Sequence, residues 1–316
     1  MPKVPVSVVV LAKSEERNIA RCLRSLEWAD EVVVVEDGST DNTVTIARQN
    51  GARVIHNEFK SFASQRNWAL QHGELRNDWV LMLDADEAAT DAFASSVEHA
   101  IENAGTNTAA FRTCRKTMLL GQWLRRSDSF PVWIMRLVRR QGARFEDSGH
   151  GEVPVPDVQG DMDSIAEPFL HYPFSRGMDN WWERHIRYAD REARYEIETT
   201  RNVSLKGLWS LDPSCRRRTM RGVARRLPLR GTLRFYFQYI FKGGFLDGIA
   251  GLHFCRMMAC YERMIVIKKW ELKQRTLGEI QGSTTVVPKS LEASISKPRQ
   301  QDGAATTNHD SFVGRR

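Results

Sequence analysis

Residues 79–87, Trp79-Val-Leu-Met-Leu-Asp84-Ala85-Asp86-Glu87, constrain this chain more than any other stretch. Five apolar residues in succession predict a strand buried on both faces, the kind found inside a parallel sheet. The strand then runs into three carboxylates within four positions. Asp84 and Asp86 are two apart, so extended backbone would point both side chains the same way. Carboxylates so placed repel each other unless something positive lies between them, and a hard divalent cation with oxygen ligands meets that need. The plainer reading is a polar turn followed by a helix capped at Thr90. What precedes the strand weighs against it.

Val6–Leu11 is a second apolar run, and Ser14 is placed to cap a helix from Glu15 to Leu26. Ile19, Cys22, Leu23 and Leu26 form its apolar face, and Glu15 and Glu16 occupy the first turn, which favours acids. A strand over Glu31–Val35 ends in Glu36-Asp37-Gly38-Ser39-Thr40-Asp41. A short helix over 42–49, a strand over 52–56 and a helix over 62–72 stopping at Gly73 follow, and a further helix covers 91–103. Strands and helices alternating at such short intervals predict βαβ units and a mostly parallel sheet with flanking helices. In such sheets ligands bind at the carboxyl ends of the strands. Ser14-Glu15, Glu36-Asp37 and Asp84-Asp86 each follow a strand directly, so all three clusters are expected on one edge. No G-x-G-x-x-G follows the first strand and no G-x-x-x-x-G-K-[ST] occurs, which argues against a dinucleotide-binding or P-loop site.

Between Ala109 and His171 the pattern changes to short strands broken by basic and aromatic residues, with a dense polar cluster at Glu146-Asp147-Ser-Gly-His150-Gly-Glu152. A long helix is expected from Ser175 to Thr199, with Trp182, Ile186, Ala189, Ala193 and Ile197 buried and Trp181, His185 and Tyr188 on another face.

These motifs together resemble the nucleotide-sugar half of family 2 glycosyltransferases of the GT-A fold: Val6–Leu11, Glu36–Asp41, Gln65-Arg66-Asn67-Trp68-Ala69-Leu70 and Leu83–Glu87. The likeness is nearer to bacterial enzymes that build lipopolysaccharide core and related envelope glycans. It continues through His150-x-Glu152, Leu170-His-Tyr172, His185-x-Arg187-Tyr188-Ala189 and Gly243-Gly-Phe-Leu-Asp247-Gly-Ile-Ala250-Gly. Ser14 stands where relatives carry Asn, and His150-Gly151-Glu152 where they read His-Glu. The resemblance implies a nucleotide diphosphate sugar as donor and a glycan or glycolipid acceptor. It implies a divalent cation, Mn²⁺ or Mg²⁺, held by Asp86, with His150 a further ligand and Asp84 nearer the ribose or the metal waters. Glu15 and Asp37 would accept hydrogen bonds from the base and ribose, and Arg66 would meet the diphosphate. An inverting transfer needs a carboxylate to take the acceptor proton. Glu152 is the first candidate and Asp147 the second. The implied division is 1–105 for the nucleotide-sugar half, 106–200 for the acceptor half, 201–272 for a basic helical region and 273–316 for a disordered tail.

Charge separates the last two segments from the rest. Residues 1–200 hold 24 Lys/Arg against 31 Asp/Glu, whereas residues 201–316 hold 22 against 8. A basic segment on an acidic body calls for an anionic partner. No eighteen-residue window is uninterruptedly apolar, so nothing there is expected to span a bilayer. Basic and aromatic helices suit an anionic membrane surface, the inner face of the cytoplasmic membrane on this reading. The other reading is a helical cap on the catalytic body. Five cysteines without a C-x-x-C pair fit a reducing compartment. The rival functions are a sugar nucleotidyltransferase, which would want a glycine-rich basic loop after the first strand, and a non-enzymatic membrane or nucleic-acid adaptor. For an adaptor the three acidic turns would serve no purpose, and no nucleic-acid partner is expected.

Overall fold

The computed structural model describes residues 3–148, 151–154, 160–199, 209, 212–224, 227 and 229–276. Met1–Trp270 forms one compact unit, and Glu271–Arg316 is a second, described only over the last turns of a helix.

The first half is an alternation of β1 (Val4–Ala12), α1 (Ile19–Arg24), β2 (Ala29–Glu36), α2 (Thr43–Gln49), β3 (Arg53–His56), α3 (Phe62–His72) and β4 (Trp79–Asp84). A two-residue strand β5 (Glu87–Ala88), α4 (Asp91–Glu102), β6 (Thr108–Leu119), β7 (Gln122–Trp123) and β8 (Trp133–Arg139) follow. Next come the hairpin β9 (Phe145–Ser148) and β10 (Gly151–Pro154), then β11 (Asp161–Ser164) and β12 (Phe169–His171). The helices are α5 (Met178–Thr199), α6 (Pro213–Ala224), α7 (Arg230–Tyr236) and α8 (Gly248–Thr276); a π turn (Phe237–Phe241) and a 3-10 turn (Gly244–Asp247) join α7 to α8.

Among the described residues ten strands form one sheet, whose path runs β3-β2-β1-β4-β8-β6-β12-β5 with β7 and β11 beside β6. The first four strands on that path are parallel, and β8 pairs antiparallel with both β4 and β6, so the sheet is mixed. Strands on both sides of residue 105 belong to this continuous sheet. Register decides where the site lies: Ala12 pairs with Glu36 and Leu11 with Asp84, so β1, β2 and β4 end side by side. Val8, Val10, Val34, Leu81 and Leu83 pack on one face of the sheet against Ile19, Cys22, Phe93 and Val97. Val9, Val33, Val35, Val80 and Met82 pack on the other against Ala63, Ala69 and Met135. Continuous apolar runs follow from that two-sided burial.

Two helix starts differ from the sequence-based expectation. Ser14 caps nothing; its φ of 52° kinks the chain, and α1 begins only at Ile19 with no acid in its first turn. Ser175 likewise donates to the Tyr172 carbonyl at 2.8 Å, and α5 starts at Met178. The face of α5 also departs from the apolar periodicity, since Trp181, Ala189, Ala193 and Glu196 are buried and Ile186 is exposed. His185 stacks on Trp181, and its Nδ1 lies 2.8 Å from the Trp181 carbonyl. Burial lowers its pKa to about 4, so it is a neutral packing residue.

Asp247 fastens the C-terminal helices to the body. Its buried carboxylate accepts hydrogen bonds from Arg126 N (2.9 Å), Ser127 N (2.7 Å) and Ser127 Oγ (2.6 Å), and its carbonyl accepts one from Gln122 Nε2. The flanking glycines make the turn: Gly243 and Gly248 have φ of 73° and 62°, and a Cβ on Gly251 would lie 2.2 Å from the Gly244 carbonyl oxygen. Asp247→Ala would strand buried N–H groups, so urea melts should show a loss of about 2–3 kcal/mol. A change within a few tenths would mean that these bonds hold nothing.

Candidate active site

The carboxyl edge of β1, β2 and β4 gathers the acidic residues, and arginines from two further elements meet them there. Asp84, the last residue of β4, accepts from Arg66 of α3 (Oδ1, 3.1 Å) and from Arg136 of β8 (Oδ2, 3.1 Å). Arg136 also donates to Glu87 Oε1 at 2.6 Å, and the other Glu87 oxygen accepts the Asp84 backbone N–H at 2.9 Å. Two guanidinium groups therefore supply positive charge to Asp84. Burial opposes ionisation of Asp84, but Arg136 and Arg66 outweigh it and hold the carboxyl well below the usual range. Glu87 is deeper, and burial pushes it up to about 7 against the pull of Arg136.

Asp86 does not continue the strand. Residues 85 and 86 form a turn, so the two aspartates of the D-x-D do not share one extended face. Asp86 Oδ2 instead faces His171 Nε2 of β12 at 3.6 Å. Burial would raise the Asp86 carboxyl, yet His171 and Arg184 keep it lowered. His171 Nδ1 is buried with no hydrogen-bond partner. One carboxylate oxygen and one imidazole nitrogen turned toward each other, beyond hydrogen-bond distance, fit a pair of adjacent ligands for Mn²⁺. Among the described residues no three His, Cys, Asp or Glu side chains form a metal cage. Further ligands would come from phosphate oxygens, from water or from His150, which lies outside the described residues.

The loop after β1 is laced to the loop after β2. Ser14 N donates to Ser39 Oγ, Glu15 N to Thr43 Oγ1 and Glu16 N to Asp41 Oδ2, at 3.1, 2.7 and 3.1 Å. Those bonds keep Glu15 beside the sheet edge, where it accepts from Asn18 Nδ2 (2.7 Å) and Arg176 Nη1 (3.0 Å). Burial raises its carboxyl. Asp37 accepts from Lys13 Nζ at 2.6 Å and from Phe59 N at 2.9 Å; burial resists, but these partners lower its carboxyl. Arg66 is neither a solvated helix residue nor open to a ligand, since its side chain is 2% exposed behind Asp84.

The base candidates lie on the hairpin. Glu152 of β10 and Asp147 of β9 are cross-strand partners in the register. The hairpin is anchored at its start by α3, where Asn67 Nδ2 donates to the Phe145 carbonyl (2.8 Å) and Phe145 N donates to Asn67 Oδ1 (2.9 Å). The Gln65-Arg66-Asn67 run thus does three jobs: Gln65 holds Asn57, Arg66 holds Asp84 and Asn67 holds the hairpin.

Sequence reasoning missed Arg136 and Arg176. Arg136 had a signal, a lone charge inside the apolar strand Trp133–Val138; Arg176 had none. Removing Arg136 leaves the buried Glu87 beside Asp84 without its cation. Arg136→Met should cost about 3–5 kcal/mol in denaturant titrations. Arg136→Met with Glu87→Leu should recover a large part of that loss, because no buried charge then stands alone. Simple additivity of the two would contradict the pairing.

Residues 7–154 match the family model described as glycosyl transferase family 2. The lipopolysaccharide core biosynthesis glycosyltransferase LpsC of Rhizobium meliloti is 26% identical over 208 residues, 63% of this chain and 74% of that protein. An uncharacterized glycosyltransferase of Rickettsia typhi is 38% identical over 95 residues, which is 30% of this chain and only 32% of that relative's length. Glucosyl-3-phosphoglycerate synthase from Mycobacterium tuberculosis, solved with phosphoglyceric acid, overlaps 60% of this chain and 77% of its own at 17% identity and a TM-score of 0.42. The same enzyme solved with Mn²⁺, UDP and glucosyl-3-phosphoglycerate overlaps 35% and 44% at 22% identity and a TM-score of 0.30. The structural overlaps are too partial to bear on this chain's chemistry. The family match covers the laced loops, the D-x-D turn and the hairpin, and over residues 7–154 the chain's resemblance to glycosyl transferase family 2 is established.

Proposed function

We propose that this chain is an inverting glycosyltransferase that moves a sugar from a nucleotide diphosphate donor to a cell-envelope glycan or lipid-linked acceptor of the lipopolysaccharide-core kind. The observation that carries the reading is the convergence of Glu15, Asp37, Asp84 and Asp86 on one sheet edge, each held by hydrogen bonds before any ligand arrives, Asp86 through its backbone carbonyl, which accepts from Tyr172 N at 2.8 Å. Such a preset arrangement recognises a polar ligand without reorganising on binding. Glu15 and Asp37 take the nucleoside by accepting hydrogen bonds. Asp84 is fixed by Arg66 and Arg136 and orients the ribose side of the donor. Arg66 acts on the donor through Asp84, being too buried for contact.

Asp86 and His171 would hold the divalent cation, which supplies neutralisation of the charge that grows on the departing diphosphate. Glu152 takes the proton of the acceptor hydroxyl as its oxygen attacks the anomeric carbon; the bond to the diphosphate oxygen breaks, and the nucleoside diphosphate leaves. Asp147, opposite in the register, is the second candidate for that proton. The acceptor would be met at the inner face of the cytoplasmic membrane, with the basic C-terminal region against its anionic surface.

The experiment follows nucleoside diphosphate release from a panel of nucleotide sugars in the presence of a soluble acceptor fragment. Glu152→Gln keeps the shape and loses the proton acceptor, so turnover should fall by about 10²-fold or more while donor affinity holds. Normal turnover in Glu152→Gln with a dead Asp147→Asn would reverse the two roles. Absence of any release across the panel would remove the reading.

A further inference from the structure

The helix formed by α7 and the π turn that continues it buries its polar side and exposes its apolar one. Arg230, Gly231 and Gln238 are buried. Arg230 is bound by Glu196 and Glu262, and Gln238 Nε2 donates to the Ser127 carbonyl at 2.8 Å. Leu233, Tyr236, Phe237, Ile240 and Phe241 are all exposed, Phe241 at 80%. Their spacing of i, i+3, i+4, i+7 and i+8 is a single stripe of a helix, which on a surface helix would face the core. The apolar surface continues past Gly243 through Phe245, Leu246 and Ile249, the last 72% exposed. Contiguous apolar surface of this kind marks an interaction site.

Charge selects the occupant. Residues 213–246 contain nine Lys/Arg and no Asp or Glu. Arg230 is turned inward to Glu196 and Glu262; a second copy of the chain docking through the same face would still set this acid-free basic segment against itself, with no acid of its own to offset the repulsion. An anionic bilayer offers what the segment asks for, negative headgroups above and an apolar boundary beneath. Among the described residues no helix is long and apolar enough to cross a membrane, so the stripe would lie in the plane of the interface.

We propose that residues 230–249 form an interfacial docking face for an anionic lipid bilayer, with Phe237, Phe241, Phe245 and Leu246 entering the headgroup boundary. The role of the face rests on the reading of a lipid-linked acceptor; the binding itself does not require it. Its polar anchors fix the orientation, because Arg230 and Gln238 tie the inner side of the helix to α5, α8 and the loop at Ser127.

The test is sedimentation with phosphatidylcholine vesicles prepared with and without phosphatidylglycerol. The wild type should partition to the anionic vesicles, and added salt should weaken that binding. Phe237→Ser/Phe241→Ser/Leu246→Ser should weaken it by about tenfold or more, with unchanged circular dichroism. Phe241→Asp, at a position too exposed to disturb the core, should act in the same direction. A wild type that stays in the supernatant, equal binding to neutral vesicles, or variants that bind like the wild type would overturn the proposal. So would light scattering that shows a wild-type dimer and a monomeric triple variant, since the face would then join two copies. Nucleoside diphosphate release with a soluble acceptor separates the two readings. Loss of vesicle binding with normal release removes only the docking face, and absent release with normal vesicle binding removes only the enzymatic assignment.

Discussion

Arg136 is the residue on which the site depends. It reaches from the antiparallel strand β8 across to β4 and holds Asp84 and Glu87 with one guanidinium nitrogen. Burial pushes Glu87 up to about 7 even with Arg136 in place, and without that arginine its carboxyl would be neutral or displaced. Arg66 approaches Asp84 from the α3 side, so the carboxylate is held by cations from two elements and keeps its charge. Breaking such a pair costs more than forming it yields, because a lone buried charge remains. The antiparallel strand is thereby part of the site: it joins the sheet beside β4 and delivers the arginine that the parallel strands do not supply.

The parallel core was legible because its burial is two-sided. Val6–Leu11, Glu31–Val35 and Trp79–Leu83 are runs that only a covered strand tolerates, and Asp91–Glu102 starts at the Thr90 cap that accepts from Phe93 N. The grouping of three acidic turns on one edge followed from strand direction alone. Less legible were features set by contacts distant in sequence. Nothing local announces that Ser14 takes a left-handed conformation and lets the Thr43 hydroxyl cap the Glu15 N–H. The turn at residues 85–86 departs from the extended backbone that the apolar run predicts, because periodicity carries no information about where a strand stops. On α5, apolar spacing put Ile186 inside, whereas Arg230 and Lys269 draw Glu196 into the interior and turn the helix.

The C-terminal helices join the body through polar pins as much as through apolar packing. Asp247 fixes the turn before α8, and Arg230, Glu196, Glu262 and Lys269 form a buried network among α5, α7 and α8. With charges directed inward, the aromatic residues of α7 and its continuation are left outward. Networks of that type restrict a segment to one orientation, because each unsatisfied partner would be costly. The same helix is therefore both a rigid part of the body and the carrier of a row of exposed apolar side chains.

The central claim is that Asp86 and His171 hold a divalent cation through which a nucleoside diphosphate binds, and calorimetry tests it directly. Nucleoside diphosphates titrated into the protein with Mn²⁺ present should bind at least about tenfold more tightly than in EDTA, a coupling of about 1.4 kcal/mol or more. Asp86→Ala and His171→Ala should each abolish that difference while leaving the melting temperature close to that of the wild type. Equal affinity with and without the cation, or a cation effect that survives both substitutions, would contradict the account.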